Sequence, residues 1–399
     1  MKHLTIIASI ILSSFITKGQ RSRDSTESTQ PNVQITFIYP IGSGGTHSIN
    51  ETYDVSVNFL GGATGGINGL EFSGFAGFTK GNVQGAQIAG FANIVTDTFR
   101  GLQAAGFSNV VRNDFEGIQL SGFANTSIKR HTGGQVAGFV NYVGDTMSGA
   151  QVSGFANATM GAVHGVQGAG FANYSMGLVG AQISGFVNTN VGDLEGNQVA
   201  GFVNVSTGYT QGLQLSGFIN VANKMKGAQI GFINIADTLE GVAIGFLSYS
   251  RNGYHQFELS ANETFQSNLA FKTGSNYFYN VFSAGVHWNK DNPVWALGYG
   301  IGTRKEFANK FSFNAELNSY SVLPDDFEAN EWESLNKLKF SFAKGLGSHI
   351  EVFGGVSVNM WLSENETPKH EYLSSNKYKG SNGSVNWIMY PGYQFGIRI

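Results

Sequence analysis

GAQIAGFANIVTDTFR (85–100) decides the fold, because its core phrase, G-x-Q-x-x-G-F-x-N, returns on a nearly fixed period until about Ser250. The glycines of the successive Gly-Phe pairs are Gly90, Gly106, Gly122, Gly138, Gly154, Gly170, Gly185, Gly201, Gly217, Gly231 and Gly245, at steps of 16, 16, 16, 16, 16, 15, 16, 16, 14 and 14. The phrase is carried by Gln87, Gly90, Phe91 and Asn93 in the first unit, by Gln151, Gly154, Phe155 and Asn157 midway, and by Gln214, Gly217, Phe218 and Asn220 near the end. A last unit, with Ala243 and Ser248 in the amide places, is degenerate. Units this short cannot bury an apolar face alone and must stack on one another. Their Gly, Asn and β-branched content disfavours helix, and the alternation through Ala86, Ile88, Phe91 and Ile94 is that of a strand.

Two β architectures can use such a unit. In a solenoid each unit is one coil, like residues lie above one another at about 4.8 Å, and Gln, Phe and Asn become ladders. In an antiparallel membrane barrel each unit is one strand and a turn. Compared with QIAGFANIVTDTFRG (87–101), QIGFINIADTLEG (229–241) lacks one residue beside the glycine and one near the Asp-Thr, where a two-armed coil has its corners. In a barrel the first loss would swap the inward and outward faces of a strand. The expected fold is all-β: a solenoid of 14–16-residue repeats followed by an antiparallel, outer-membrane-like β-barrel. One large antiparallel transmembrane barrel that includes the repeats is the alternative. Inside a solenoid, the Phe column would make Phe155→Ala cost about 3–5 kcal/mol, and the glutamines would form a buried ladder.

The chain has 399 residues, 55 glycines, 32 phenylalanines, 13% charged residues and no cysteine, the composition of a glycine-rich β protein without disulfides. A net charge of −3 and the lack of a basic stripe argue against nucleic acid as a partner. Residues 1–20, with Lys2, His3 and the apolar run 4–16, have the layout of a secretory signal peptide, and 21–33 read as a flexible leader. Residues 34–79 hold three alternating strands, at 34–42, 53–62 and 70–78, with the glycine run 61–69 read as a turn.

The repeats occupy 80–252, and 253–399 are the C-terminal barrel region. Its alternating runs are 256–274, 277–288, 294–305, 311–321, 336–346, 350–362 and 385–399, most of them 10–15 residues long and able to cross a bilayer at a tilt. The turns 307–310 and 347–349 are tight while 322–335 and 363–384 are long and polar, as in outer-membrane barrels with short periplasmic turns. Trp288, Trp295, Trp361 and Trp387 fall at strand ends beside the long segments, and Trp332 lies within one, like one edge of an interfacial girdle.

The units GAQIAGFAN (85–93), GIQLSGFAN (117–125), GLQLSGFIN (212–220) and GAQIGFIN (227–234), the preceding NFLGG (58–62) and the following FELSANETF (257–265) resemble a family of bacterial surface-repeat proteins first noticed in leptospires and common in Bacteroidota. The resemblance covers roughly residues 34–320 and implies export and an outer-membrane or cell-surface location, with no agreed reaction or ligand. Where family units carry Leu, this chain carries Phe.

Chemistry-bearing motifs are sparse. There is no H-E-x-x-H, no phosphate loop and no G-x-S-x-G elbow, and the histidines have no metal-ligand spacing, so no catalytic, cofactor or metal residues are assigned. Asp97, Asp114, Asp145, Asp193 and Asp237 recur at the second corner, where aspartates serve as turn residues. The expected function is a non-enzymatic surface or outer-membrane repeat protein with a structural or adhesive role. Its expected partners are outer-membrane lipid and an extracellular ligand or a host or envelope surface. A pore and a carbohydrate-active solenoid are the alternatives.

Overall fold

The computed structural model describes residues 32–288, 293–323, 332–347, 350–364, 377–383 and 385–399, and counts below refer to these. The signal peptide and nearly all of the leader expected from the sequence lie outside them.

Consecutive units pair in parallel and in register: Gln119 lies between Gln103 and Gln135, and Asn125 between Asn109 and Asn141. This overturns the single-barrel alternative, in which neighbouring units would run in opposite directions. Each coil has a long arm such as Phe99–Ala105 and a short arm such as Ser108–Val111, joined by the Gly-Phe corner and by a second, polar corner. The corners absorb the shortened units. Leu215 pairs with Ile230 and Ile219 with Ile233, which drops one residue at the Gly-Phe corner, while Ser206 pairs with Ala222 and Tyr209 with Lys224, which drops one at the other.

The first glycine of the phrase has a strict steric reason. Gly101 has φ +128, and a Cβ there would sit 1.9 Å from the Gly85 carbonyl oxygen of the coil before, a pattern that holds from Gly85 to Gly241. Only glycine takes that conformation without strain and permits that approach.

Residues 34–79 are no separate module. Strands Thr52–Thr64, Gly66–Ser73 and Ala76–Thr79 join the same sheet in parallel. The glycine run 61–69 is not a turn but strand on both sides of a bend at Gly65. Its glycines fit because a Cβ on Gly62 would meet the Asn58 amide at 2.1 Å and one on Gly69 the Asp54 carbonyl at 2.2 Å. GLEFSGFAG (69–77) is thus a further unit with Glu71 in the glutamine place.

From Tyr254 the pairing becomes antiparallel. Strands Tyr254–Asn262, Ser267–Gly274, Tyr279–His287, Val294–Glu306, Phe311–Val322, Glu333–Leu346, Ile350–Ser363 and Asn386–Arg398 follow in order, and the last pairs with the first through Leu259 and Ile397, closing an eight-strand barrel. The run 256–274, read as one strand, is two, because residues 263–266 turn. Tyr378–Ser381, inside an expected loop, adds a short strand against Asn386–Met389. One barrel end carries the turns 275–278 and 307–310 and the strand ends Leu346 and Ile350, together with the junction to the solenoid and the C-terminus. The other carries the turn 263–266 and the strand ends His287, Val294, Val322, Glu333, Ser363 and Asn386.

Candidate functional site

Strand alternation sends five side chains of each coil inward, and two of them are amides. Gln87, Gln151, Gln214, Asn93, Asn157 and Asn220 are all essentially inaccessible to solvent. Each glutamine donates from Nε2 to Oε1 of the coil before: Gln103 to Gln87 at 2.9 Å, Gln151 to Gln135 at 2.8 Å, Gln229 to Gln214 at 2.8 Å. Asparagines donate the other way, Asn93 to Asn109 at 3.0 Å and Asn157 to Asn173 at 2.9 Å. Both directions follow from groups that can only accept. Glu71 ends the glutamine ladder by accepting from Gln87 at 2.6 Å, and each asparagine spends its second N–H on a backbone carbonyl of the next coil, as Asn157 does on Gly168 at 2.8 Å. The ladders therefore polarise in opposite senses along the stack.

Two ionisable groups interrupt this interior. Burial pushes the Glu71 carboxyl up to about 7, against the hydrogen bonds from Gln87, Thr79 and Asn58 that favour its charged form. His131 stands in the apolar column, stacked 4.5 Å from Phe115 and 3.0 Å from the Ser127 hydroxyl, and burial lowers it to about 4.

The phenylalanines are not inside. Phe91, Phe155 and most of the column are 40–41% exposed at the Gly-Phe corner, their rings stacked nearly parallel at 4.7–5.0 Å. The expectation of a buried Phe column fails because Phe91, though of the same parity as the inward Ala89 and Asn93, sits on the bend of the corner and points away from the interior. Ile88, Phe91 and Ile94, the residues that signalled a strand, all point outward, and the interior belongs to Val83, Gln87, Ala89, Asn93 and Val95. Gly90, Gly154 and Gly217 make the corner, where a Cβ on Gly154 would meet the Gly138 carbonyl oxygen at 2.2 Å.

The barrel has the reverse polarity of a soluble core. Lys272 bridges Glu258 (2.5 Å) and Glu316, Lys339 holds Glu316 (3.1 Å), and Arg398 holds Glu258 (2.8 Å), all buried inside the barrel. Nearer the other end the 263–266 turn folds inward. Glu263 accepts from Lys337 and Asn359 at 2.8 Å each and from the Tyr393 amide at 2.8 Å, and Phe265 packs against Tyr320. The lumen there is filled by Phe265, Val294, Tyr320, Leu335, Trp361 and Ile388. Trp361 thus leaves the expected girdle, since strand parity turns it inward at 1% exposure, whereas Trp288 and Trp295 stay outward. Outside lie Phe257, Leu259, Leu269, Leu297, Phe342 and Val356, each at least 55% exposed.

Sequence reading missed Glu71 and the barrel ion pairs. Their signal was present: single charges at the inward phase of otherwise apolar strands, as in FELSAN (257–262) and KLKFSF (337–342). At the short-turn end a cavity of about 550 Å³ is lined by His255, Arg304, Glu306, Lys310 and Glu351, but Arg304 already forks onto Glu351 at 2.6 and 3.0 Å. No group of three His, Asp or Glu among the described residues could hold a metal ion. No family model, no curated protein and no solved structure matches the chain.

Proposed function

We propose that the protein is a non-enzymatic outer-membrane protein whose C-terminal barrel is a lipid-embedded anchor and whose solenoid serves envelope structure or attachment. One observation carries the reading: the barrel buries an ion-paired polar lumen and turns an apolar belt outward. In water that arrangement would waste the hydrophobic effect, and in a bilayer it satisfies it. The surface-repeat resemblance and the signal-peptide layout agree with export. With the lumen closed by the inward turn and by Trp361, Leu335 and Tyr320, the barrel is an anchor and not a pore.

Outer-membrane barrels keep short turns in the periplasm. The solenoid joins the barrel at its short-turn end, so the same rule puts the repeats on the periplasmic face, where they would engage the envelope and not a host. Cell fractionation should recover the protein in the outer membrane, heat-modifiable on gels, and reconstituted protein should give no channel steps in planar bilayers. Recovery as soluble protein overturns the anchor, and regular conductance steps overturn the plug. Protease cleavage of the repeats on intact cells would reverse the orientation and favour adhesion at the cell surface.

A further inference from the structure

The solenoid carries its own segregation of charge. Between residues 80 and 252, every Asp, Glu, Lys and Arg lies five to nine positions after the phenylalanine of its unit, from Lys80 after Phe75 to Arg251 after Phe246. That interval is the second corner and the start of the long arm. The Gly-Phe corner, the short arm and the half of the long arm next to that corner carry no Asp, Glu, Lys or Arg. They present Ile88, Leu120, Val152 and Ile183 on the long arm and Ile94 and Ile235 on the short arm, each 37–51% exposed. In cross-section the coil is a blade with one apolar edge and one charged edge.

Eleven of the twelve column phenylalanines are 40% exposed or more. At two fifths of roughly 200 Å² per ring, they alone leave on the order of 900 Å² of apolar surface, above the roughly 300–600 Å² that is the largest patch on a typical soluble monomer. A shallow hollow of about 350 Å³ between Ile88, Leu120 and Val136, floored by Ala104, adds to it.

One further observation says what covers this edge. It runs into the outer wall of the barrel: Phe246 at the end of the column lies 5.0 Å from Tyr299 and 5.5 Å from Phe282, and Asn280 and Tyr299 hydrogen-bond the Gly245 carbonyl beside it. A bilayer lapping the barrel there meets the column with no polar gap. The backbone N–H groups of the edge are paired between coils. Phe107 donates to the Phe91 carbonyl at 2.9 Å and Phe155 to Phe139 at 3.0 Å, and Gly106 donates to Ala89 at 3.2 Å.

We infer that the Phe corner of the solenoid is a lipid-contacting edge that seats the repeats in the phospholipid leaflet adjoining the barrel, with the charged corner in water. The inference rests on the barrel being membrane-embedded, and its test keeps the two apart. The chain has no cysteine, so single cysteines can be labelled with an environment-sensitive fluorophore: Phe155→Cys and Ile183→Cys on the apolar edge, Asp145→Cys on the charged corner, and Leu297→Cys on the barrel belt.

The full-length variants would be reconstituted in phosphatidylethanolamine/phosphatidylglycerol vesicles with and without lipid-borne nitroxide quencher. Labels at 155 and 183 should be quenched several-fold more than the label at 145, and as strongly as the label at 297. Quenching at 297 with 155 and 183 no different from 145 overturns the lipid edge and leaves the anchor standing. No quenching at 297 overturns the anchor and this inference with it. Pyrene at 155 or 183 giving excimer emission without lipid quenching would show that a second copy covers the edge, and also overturns it. Ile183→Cys keeps the test open if Phe155→Cys does not fold.

Discussion

Replacing Gln151 with alanine should destabilise the solenoid more than replacing its large neighbour Phe155, the reverse of what side-chain hydrophobicity suggests. Gln151 is fully buried. It donates to Gln135 at 2.8 Å and accepts from Gln167 at 2.8 Å and from the Thr159 hydroxyl at 2.9 Å. Its removal strands the Gln135 oxygen and one Gln167 N–H, with partial relief from the Tyr174 carbonyl 3.2 Å from Gln167. At about 1–3 kcal/mol for each orphaned buried group, the loss is about 2–5 kcal/mol. Phe155 is 40% exposed, so three fifths of its burial together with its ring stacking comes to about 1–3 kcal/mol. Guanidinium titration of the full-length protein in detergent micelles, followed by far-ultraviolet circular dichroism, measures both. The expected order is Gln151→Ala below Phe155→Ala below parent, with the double variant Gln135→Ala/Gln151→Ala costing less than the sum because the two share one hydrogen bond. A Phe155→Ala midpoint lower than that of Gln151→Ala would refute the amide core.

The two interior ionisable groups should give pH slopes of opposite sign. Glu71, raised from 4.5 to about 7, favours the fold at low pH and loses about 3 kcal/mol as pH climbs through that window, whereas His131, lowered from 6.5 to about 4, loses a similar amount as pH falls from 6.5 to 4. Denaturation midpoints between pH 4 and 8 should therefore show Glu71→Gln abolishing the first slope and His131→Phe the second, and parallel curves for parent and variant would count against either. Deleting Gly133–Ser148 should leave a folded protein, because Gly117–Thr132 and Gly149–His164 offer one another the same register. Collapse of circular dichroism in that variant would contradict simple stacking. In the barrel, Lys272→Met leaves Glu258 and Glu316 facing each other with one neutralising partner fewer, at a cost of about 3–5 kcal/mol. Heat-modifiability on gels should then vanish at a lower temperature than in the parent.

The period, the parallel stacking and the change of architecture near residue 253 were legible because each rests on spacing. Two losses of one residue, about seven positions apart, mark both corners in the sequence, and the register shifts fall at those corners. What spacing could not supply was which way a residue at a corner or strand end points. The glutamines were expected inside and lie there, but Phe91, of the same parity as Gln87 and Asn93, turns outward at the corner. The same gap misplaced Trp361, whose position near a strand end was read correctly and whose side of the strand was not. Unit GLEFSGFAG (69–77) escaped notice because Glu71 and Gly77 replace the two amides used to find the others, although its Gly74-Phe75 pair keeps the 16-residue step.

The outward phenylalanines and the membrane reading have one cause. The solenoid interior combines buried apolar columns, such as Val83, Phe99 and Phe115, with amides whose hydrogen bonds repeat at the strand spacing, so the corner phenylalanines and the isoleucines can stay outside. The barrel does the same with ion pairs in place of amides. Both halves thus turn many apolar residues outward, and the Asp, Glu, Lys and Arg of the repeats gather at the second corner and the start of the long arm, away from the phenylalanines. In water such an exterior forgoes part of the hydrophobic effect, whereas in the membrane setting proposed above the outward apolar residues are solvated by hydrocarbon. The contact of Phe246 with Tyr299 and Phe282 joins the two apolar exteriors into one surface, so whatever solvates the barrel belt has a continuous path onto the repeats.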